Sequence, residues 1–337
     1  SRSKMKPNQS PFLWMLVLGV SLLCLFIVYL KAGAYSTTWG QMLDAILYPT
    51  DSLSTTIVWS FRLPRILMAF LAGGALSVAG MHMQNLFNNS LAGPDILGIT
   101  SGSSLMVALW AMTGWSLLGT SDVILLGILG ALGMGIIMLM FAYKLKSFVH
   151  LLLLGLMLGS FISAIISIVQ ASSASQDLQR FVFWNFGNLQ RVNLDQILPV
   201  GIVFFVGLTL SMTQVRSLNA MVLGEEHAQS LGISLRAFRL MGILIAAILT
   251  GTITAYVGPI AFVGLAVPNA TKLWFKTQKH GLLLGANVLL GALFLGLCDL
   301  LIVYFEPYLS LPLNAITSLI GVPFICWMIL KYRYVAS

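Results

Sequence analysis

The chain is organised around the stretch Leu223-Gly224-Glu225-Glu226-His227-Ala228-Gln229-Ser230-Leu231-Gly232, a polar island between two long apolar segments. Carboxylates, an imidazole and an amide are expensive to bury in lipid, so the island is expected outside the membrane. Its spacing predicts a short helix between the two glycines, with Ala228 and Leu231 on one face. The polar side chains that remain available to a partner are then Glu225, Glu226 and Gln229. The island is therefore a candidate docking surface.

Composition places the chain in the membrane class. Hydrophobic residues make up 58% of its 337 residues, charged residues make up 8%, and the mean hydropathy is +0.94. A soluble domain carries about 25% charged residues, so the sequence predicts an all-α polytopic protein that resides in a lipid bilayer. The net charge of +8 comes from basic residues in short loops, where they set orientation. Nucleic acid is therefore not expected as a partner.

Apolar windows predict about ten transmembrane helices in one domain that spans 1–337. Their approximate bounds are 12–30, 62–84, 96–113, 123–143, 148–171, 197–212, 238–257, 260–272, 282–303 and 313–330. The eighth segment follows Gly258-Pro259 and is short, so it is expected to cross only as a buried short helix. Residues 33–60 are expected to form an outer loop, after which Pro64 suits the first turn of the second helix. The aromatic stretch 172–193 predicts a short interfacial helix.

Charge bias between the loops predicts the orientation. If all ten segments cross, the face with the island and both termini carries thirteen basic residues and the opposite face carries five. Those five are Lys31, Arg62, Arg65, Arg180 and Arg191. Both termini and the island are therefore predicted to face the cytoplasm, with residues 1–9 as a short basic tail. The count depends on the eighth segment, because later loops would change sides if it did not cross.

Small residues four positions apart predict the faces on which membrane helices pack. The glycines in such patterns are Gly98, Gly102, Gly155, Gly159 and the run Gly127, Gly130, Gly133 and Gly135. Glycine in this chain is therefore interpreted largely as a means of close helix contact.

Isolated polar and sulfur side chains in the apolar segments are interpreted as structural. Asp299 would be expensive in lipid and is expected to face protein or water. His82 has no second ligand at metal-binding spacing on its helix, so no metal site is predicted. The three cysteines lack a CxxC pair and are expected to be buried apolar residues. They are Cys24, Cys298 and Cys326.

A series of motifs runs in order along residues 60–330. They include Arg62-Leu63-Pro64-Arg65, Asn89-Ser90-Leu91-Ala92, Pro94-Asp95-Ile96-Leu97-Gly98, Leu223-Gly224 with Leu231-Gly232, Gly258-Pro259-Ile260-Ala261-Phe262, and Gly321-Val322-Pro323-Phe324. Together they resemble the iron-chelate and cobalamin permease family of ABC importers. One departure is Asn269, which stands where family members commonly have His.

The resemblance implies a type II ABC importer permease fold in the bacterial inner membrane. In that family two permease subunits, identical or different, pair around a central path, and a substrate-binding protein delivers cargo on the outer face. Two cytoplasmic ATPases drive transport, and the region 219–234 matches the coupling helices that contact them. No GxxxxGK[ST] phosphate loop occurs in the sequence, so ATP and Mg²⁺ are expected on the partner ATPase. The chain itself is expected to bind no cofactor and to be no enzyme.

The resemblance also assigns roles to residues near the ends of the spans. Arg62 and Arg65 match arginines that face acidic residues of the binding protein. Two guanidiniums form a clamp for carboxylates, while interfacial anchoring by snorkelling is the alternative. The residues matching the loop that narrows the path at its cytoplasmic end are Asn89, Ser90 and Leu91. That polar turn also needs Asn for its geometry alone.

Four hydroxyl residues follow this turn and are candidates for lining a wet pathway. They are Thr100, Ser101, Ser103 and Ser104. Hydroxyls in membrane helices often bond only their own backbone, which is the structural alternative.

The expected cargo is a metal chelate, with a ferric siderophore first because the resembled family often carries one. Haem, cobalamin and oxyanions such as molybdate stay open. A gradient-driven secondary transporter is the rival class, and it would need intramembrane carboxylates or histidines for coupling ions; Asp299 is a solitary candidate. An intramembrane enzyme is less favoured, because the four histidines are scattered.

Overall fold

The computed structural model describes residues 11–33, 35, 38–48, 52–113, 122–145 and 147–333, and all regular structure in these ranges is helical. The helices are α1 Pro11–Lys31, α2 Trp39–Leu47, α3 Leu53–Thr56, α4 Leu63–Leu86, α5 Ile99–Thr113, α6 Asp122–Lys144, α7 Phe148–Ala171, α8 Ser175–Asn185, α9 Leu194–Thr213, α10 Val215–Met221, α11 Glu225–Ser230, α12 Leu235–Val257, α13 Val263–Phe275, α14 His280–Phe305 and α15 Leu313–Arg333. A π-helical turn, Ile57–Arg62, joins α3 to α4, and a 3₁₀ turn, Pro94–Leu97, precedes α5.

Ten of these segments account for the predicted membrane crossings. Eight helices of the described chain are long and apolar enough to span a bilayer, namely α1, the continuous helix Leu53–Leu86, α6, α7, α9, α12, α14 and α15. Helix α5 is a shorter apolar helix, and α13, Val263–Phe275, occupies the predicted eighth segment. The predicted all-α fold with about ten transmembrane helices is confirmed. The short helix predicted within 172–193 is α8.

The second span begins earlier than the sequence suggested. The helix starts at Leu53, so Pro64 lies inside a long helix and residues 53–60 are helical. Their placement outside the membrane stays a prediction. Proline lacks an N–H and crowds the carbonyl four residues before it. The wider π turn at Ile57–Arg62 accommodates that crowding. Within the same stretch, α2 begins with a capping box of Thr38 and Gln41, a signal that the sequence analysis overlooked.

Helix α4 forms the centre of the bundle and packs against α14, α12, α13 and α9. Two glycines on it allow close backbone contact. A Cβ at Gly73 would lie 2.1 Å from the Gly291 carbonyl oxygen, and one at Gly80 would lie 1.7 Å from that of Gly264. Because no side chain fits there, glycine is required at both positions.

The predicted glycine faces are mostly present. A Cβ at Gly102 of α5 would lie 2.5 Å from the Gly130 carbonyl oxygen of α6, which confirms the contact between these two glycines. Gly133 has no neighbour within 4 Å of its Cβ position, so its assignment to a contact face is wrong. The expected burial of all three cysteines is also wrong, since only Cys298 is buried while Cys24 and Cys326 are exposed on the bundle's surface.

The eighth segment crosses as irregular backbone followed by a short helix. The carbonyl of Val257, at the end of α12, accepts from the Asn188 amide at 2.8 Å. The chain then turns inward, and the Ala261 amide donates to Asn314 Oδ1 at 3.1 Å. Helix α13 starts against the middle of α4 and continues toward its end, where Lys272 Nζ contacts Gln84 Oε1 at 3.3 Å. Irregular backbone at this depth is tolerated because it is surrounded by protein.

The bundle has two ends, which we call the Asp299 end and the island end. Asp299 bonds to Tyr29 near the end of α1, whereas Trp14 near the start of α1 stacks on Trp274 at the far end of α13. The end of α13 lies near α11, because His280 bonds to Asn219 just before that helix. The start of α1 therefore lies at the island end, and so does the end of α15, since Met328 packs in one cluster with Leu273. Their placement in the cytoplasm stays a prediction. Arg2, Lys4, Lys6 and Lys146, which contributed to the charge count, lie outside the described residues.

A Gly80→Ala substitution tests the central contact. The added methyl group must displace the Gly264 backbone, so we expect destabilisation of about 1–3 kcal/mol, typical of overpacking. Thermal unfolding of the detergent-purified chain, followed by size exclusion, measures the shift. Gly133→Ala is the matched control, because it gains the same helix propensity without a neighbour to displace. Equal unfolding temperatures for the two variants would contradict the contact.

Candidate functional site

The predicted helix of the polar island is present as α11, bounded by glycines with positive φ. Gly224 has a φ of 99° and Gly232 a φ of 83°, a region that only glycine adopts without strain. Helix α10 precedes this segment directly, and α11 contacts only α10 and α12 among the stronger helix contacts of the described chain. The island therefore projects from the bundle as a short helix with defined ends.

The exposed surface of this segment is both acidic and apolar. Ala228 is buried, while Glu225, Glu226, His227 and Gln229 are exposed. Leu231 is 63% exposed, so the prediction that it shares the packed face with Ala228 is wrong. The physical reason is that α11 ends at Ser230, and Leu231 lies beyond the helical register as its C-cap.

Two further apolar side chains enlarge this surface. Val222 and Leu223, directly before the helix, are 45% and 62% exposed. Exposed apolar side chains beside charges are typical of a surface that contacts another protein. The coupling role of 223–232 itself stays a prediction.

The turn at Asn89-Ser90-Leu91 follows α4 at the island end. The Asn89 side chain accepts a hydrogen bond from the Leu91 amide at 2.9 Å, which is an Asx turn. Asn269 of α13 donates to the Ser90 carbonyl at 2.8 Å. Asn269, which stands where family members commonly have His, therefore holds the turn in place. Leu91 is 40% exposed, and the proposed gating role of the turn is untested.

The candidate pathway serines lie at the start of α5 and differ in exposure. Ser101 is partly exposed, but Ser103 and Ser104 are buried within this chain. A Cβ at Gly127 of α6 would lie 3.1 Å from Ser103 Oγ, so Ser103 faces a neighbouring helix. In a single chain, Ser101 is therefore better placed than Ser104 to line an open path.

Sequence reasoning missed a polar stripe on α7. Ser160, Ser163 and Ser167 are exposed, and each hydroxyl donates to the carbonyl four residues earlier at 2.9–3.0 Å. Helix α7 is the least buried of the candidate spans, with 11% of its apolar window buried. The serine spacing of three and four residues was the available signal. Each hydroxyl is satisfied within its own helix, so this face can contact lipid, a partner subunit or water.

A buried ion pair occupies the Asp299 end. Arg65 donates to Asp299 through Nε and Nη2, at 2.9 Å in each case, and Tyr29 also donates to the carboxylate. Asp299 is 1% exposed, so the expectation that it faces protein is confirmed. A two-pronged guanidinium contact of this kind compensates the cost of burying both charges.

The same cluster reaches the surface at its outer edge. Arg65 Nη1 lies 3.4 Å from Glu306, whose other oxygen accepts from Gln190 at 2.7 Å. Asp299 was the candidate ion-coupling carboxylate of a gradient-driven transporter. Its bonds to Arg65 and Tyr29 leave it no role as a free proton or cation site.

A docking clamp would require exposed guanidiniums, but Arg62 and Arg65 are buried, with 6% and 8% of their surfaces accessible. Arg62 donates to the Leu30 carbonyl at 2.7 Å and the Tyr35 carbonyl at 2.6 Å. Both guanidiniums thus hold α4 to neighbouring segments. The exposure on which the docking argument rested is not found, and the docking role itself stays a prediction.

His82 is buried on α4 and contacts a neighbouring helix. Its Nε2 lies 3.0 Å from Ser211 Oγ of α9. Among the described residues, no three His, Cys, Asp or Glu side chains cluster as metal ligands would.

Residues 21–331 match the model of the FecCD transport family. The chain belongs to the FecCD transport family. This FecCD chain is 32% identical to the hemin transport system permease protein HmuU of Yersinia pestis, over 94% of this chain and 96% of the relative. The vitamin B12 import system permease protein BtuC of Serratia proteamaculans is 33% identical over 98% of this chain and 96% of its own length.

A solved structure of a metal-chelate type ABC transporter, in an inward-facing conformation, supports the same conclusion about the fold. It superposes with a TM-score of 0.82 at 28% identity and covers 94% of this FecCD chain and 99% of its own. The type II importer permease fold, predicted from the motifs, is thereby confirmed.

An Asp299→Ala substitution tests the ion pair. Removing the carboxylate leaves the Arg65 charge buried without its partner, so we expect a loss of about 3–5 kcal/mol. The apparent unfolding temperature in detergent measures it. The double variant Arg65→Met with Asp299→Leu should recover much of the loss, because it removes both charges together.

The control for that experiment is Glu306→Gln, which alters the weaker and more exposed contact to Arg65 and should leave the unfolding temperature almost unchanged. If Asp299→Ala and Glu306→Gln behave alike, the buried pair is not what stabilises this end.

Proposed function

We propose that this chain is the membrane-spanning permease subunit of an ATP-driven importer, in which α11 contacts a separate ATPase. The observation that carries the proposal is the projecting helix between Gly224 and Gly232, with its exposed acidic and apolar side chains. A short rigid helix outside the bundle is suited to receive movement from a motor protein. ATP and Mg²⁺ then bind to the ATPase, with two such subunits in the complex.

The proposal places the island and both termini in the cytoplasm of the bacterial inner membrane. The charge bias of the loops supports this orientation, and the start of α1 and the end of α15 lie at the island end. The Asp299 end then faces outward and receives the substrate-binding protein. We infer that Arg62 and Arg65 contribute to this docking surface from beneath, since Glu306 and Gln190 connect Arg65 to its exposed rim.

A second permease subunit is proposed to cover α7, either a copy of this chain or a related one. The polar stripe of Ser160, Ser163 and Ser167 would then line the path between the two subunits. The turn at Asn89-Ser90-Leu91 would narrow that path at its cytoplasmic end, with Ser101 beside it and Ser104 beneath the surface.

The proposed cargo is a metal chelate, with a ferric siderophore as the first candidate. Haem and cobalamin are the alternatives that the named relatives support, since one is a hemin and another a vitamin B12 permease. Each of these is a metal ion enclosed by an organic chelator with mixed polar and apolar surface. Helix α7, with exposed Leu156 on the same face as Ser163 and no Asp, Glu, Lys or Arg, offers a lining that contacts such a molecule weakly.

A charge reversal at Glu225 and Glu226 tests the coupling surface. The double variant Glu225→Lys with Glu226→Lys should reduce recovery of the ATPase that co-purifies with the unaltered chain by at least about tenfold, equivalent to about 1.4 kcal/mol of binding. Immunoblotting of the purified complex measures it. The matched control reverses two acidic residues at the opposite end, Asp177→Lys with Asp195→Lys. Equal losses in both variants would contradict a specific contact at α11.

Uptake by cells that carry or lack this chain tests the cargo. We expect the gene deletion to abolish accumulation of iron-55 supplied as a ferric siderophore, with restoration by the plasmid-borne chain. Parallel assays with hemin and cyanocobalamin separate the alternatives. Loss of uptake of one of those compounds, with siderophore uptake intact, would reassign the cargo while retaining the importer.

A further inference from the structure

His280 connects three helices at the island end. It is the first residue of α14 and is fully buried, at 0% exposure. Its backbone amide donates to Asn219 Oδ1 of α10 at 2.9 Å, and its Nδ1 lies 3.1 Å from the same oxygen. Its Nε2 lies 3.0 Å from Asn85 Oδ1, in the last turn of α4. A neutral imidazole carries one N–H, so with Nε2 donating to Asn85 it is the backbone amide of His280 that bonds to Asn219.

Each partner of His280 belongs to an element with an assigned role. Asn219 lies on α10, which is fixed by the fully buried Leu218 and leads into α11 through three residues. Asn85 is oriented by a 2.7 Å bond from its own Nδ2 to the Met81 carbonyl. It stands four residues before the Asn89-Ser90-Leu91 turn. The contacts therefore form a continuous path from the segment next to α11 to the turn after α4.

We propose that Asn219, His280 and Asn85 form a mechanical link that carries movement of α10 and α11 to the turn at 89–91. The inference rests on the proposed function, since it assumes that a motor protein moves α11. His280 is in this view a positioning residue, which touches no cargo. It transmits a displacement because its backbone amide bonds to Asn219 of α10 and its ring bonds to Asn85 of α4, so that α10 cannot shift without pulling on α4 or breaking one of these bonds.

A second buried hydrogen bond also joins α4 to α14, but it does not reach α10. Ser77 of α4 donates to the Asn287 carbonyl of α14 at 2.5 Å, which joins the same two spanning helices. That bond lies within the bundle and does not involve α10. Only the His280 contacts join α4 and α14 to the segment that precedes α11, among the side-chain hydrogen bonds of the described residues. Ser77 therefore provides a matched control for loss of a buried polar contact.

The experiment follows the accessibility of position 91 in the complex of this chain with its co-purifying ATPase. Leu91→Cys is introduced after changing the exposed Cys24 and Cys326 to Ser, while buried Cys298 is kept. The rate of maleimide labelling is compared without nucleotide and with ATP, Mg²⁺ and vanadate. With the link intact we expect the nucleotide to change this rate by about fivefold or more, the lower range of allosteric coupling.

Breaking the link should uncouple the turn without stopping the motor. His280→Ala and Asn219→Ala should each reduce the nucleotide response to below about twofold, while the ATP hydrolysis rate of the His280→Ala complex stays comparable with that of the unaltered complex. Ser77→Ala should keep the full response. In the double variant of His280 and Asn219, the nucleotide-dependent change in labelling rate should be as large as in either single variant. The two effects should not add, because both residues act through one link.

The outcomes separate the link from the function on which it rests. If His280→Ala and Asn219→Ala assemble and keep the full response at position 91, the link is overturned and the importer assignment stands. If nucleotide does not change the labelling rate of Leu91→Cys in the complex with His280 and Asn219 unaltered, or if no ATPase is recovered, the proposed function is contradicted and the link with it. Should His280→Ala fail to assemble, Asn219→Ala decides the matter alone, since Asn219 lies on the bundle's surface.

Discussion

Close backbone contact at α4 is the constraint on which the rest of this fold depends. In lipid there is little hydrophobic gain from bringing helices together, so association relies on packing and on polar bonds between helices. Gly73 and Gly80 let α14 and α13 approach α4 to backbone distance. The other helices of the bundle are arranged around that central packing, and most of α4 is consequently buried.

Polar bonds then secure α4 at each end of its apolar middle. At the Asp299 end, Arg65 joins α4 to Asp299 of α14, which also accepts a hydrogen bond from Tyr29 of α1. At the island end, Asn85 contacts His280, and Gln84 contacts α13. Such groups are costly alone and stabilising only as complete sets. Ser77 adds one such bond within the middle of α4, and the two ends of the helix are connected to different surfaces.

Two surfaces of the chain are left exposed by its own fold. Helix α7 exposes serines and large apolar side chains on the same span, and α11 with its flanking residues exposes carboxylates beside leucines. Neither exposed face packs against another part of the described chain. Both are explained by an assembly in which a second permease subunit and an ATPase complete the structure, as we propose for this FecCD chain.

The sequence by itself determined the membrane class, about ten crossings, the α11 helix between glycines and the short buried helix of the eighth segment. These follow from local rules, because lipid demands long apolar helices and positive φ demands glycine. Only the tertiary structure decided the partners of Arg65, the burial of Ser104, the exposure of Leu231 and the three-helix contact of His280. Asp299 lies 234 residues from Arg65, and Asn85 lies 195 residues from His280. Contacts over such separations depend on how the helices are arranged in space, which local hydropathy and spacing do not encode.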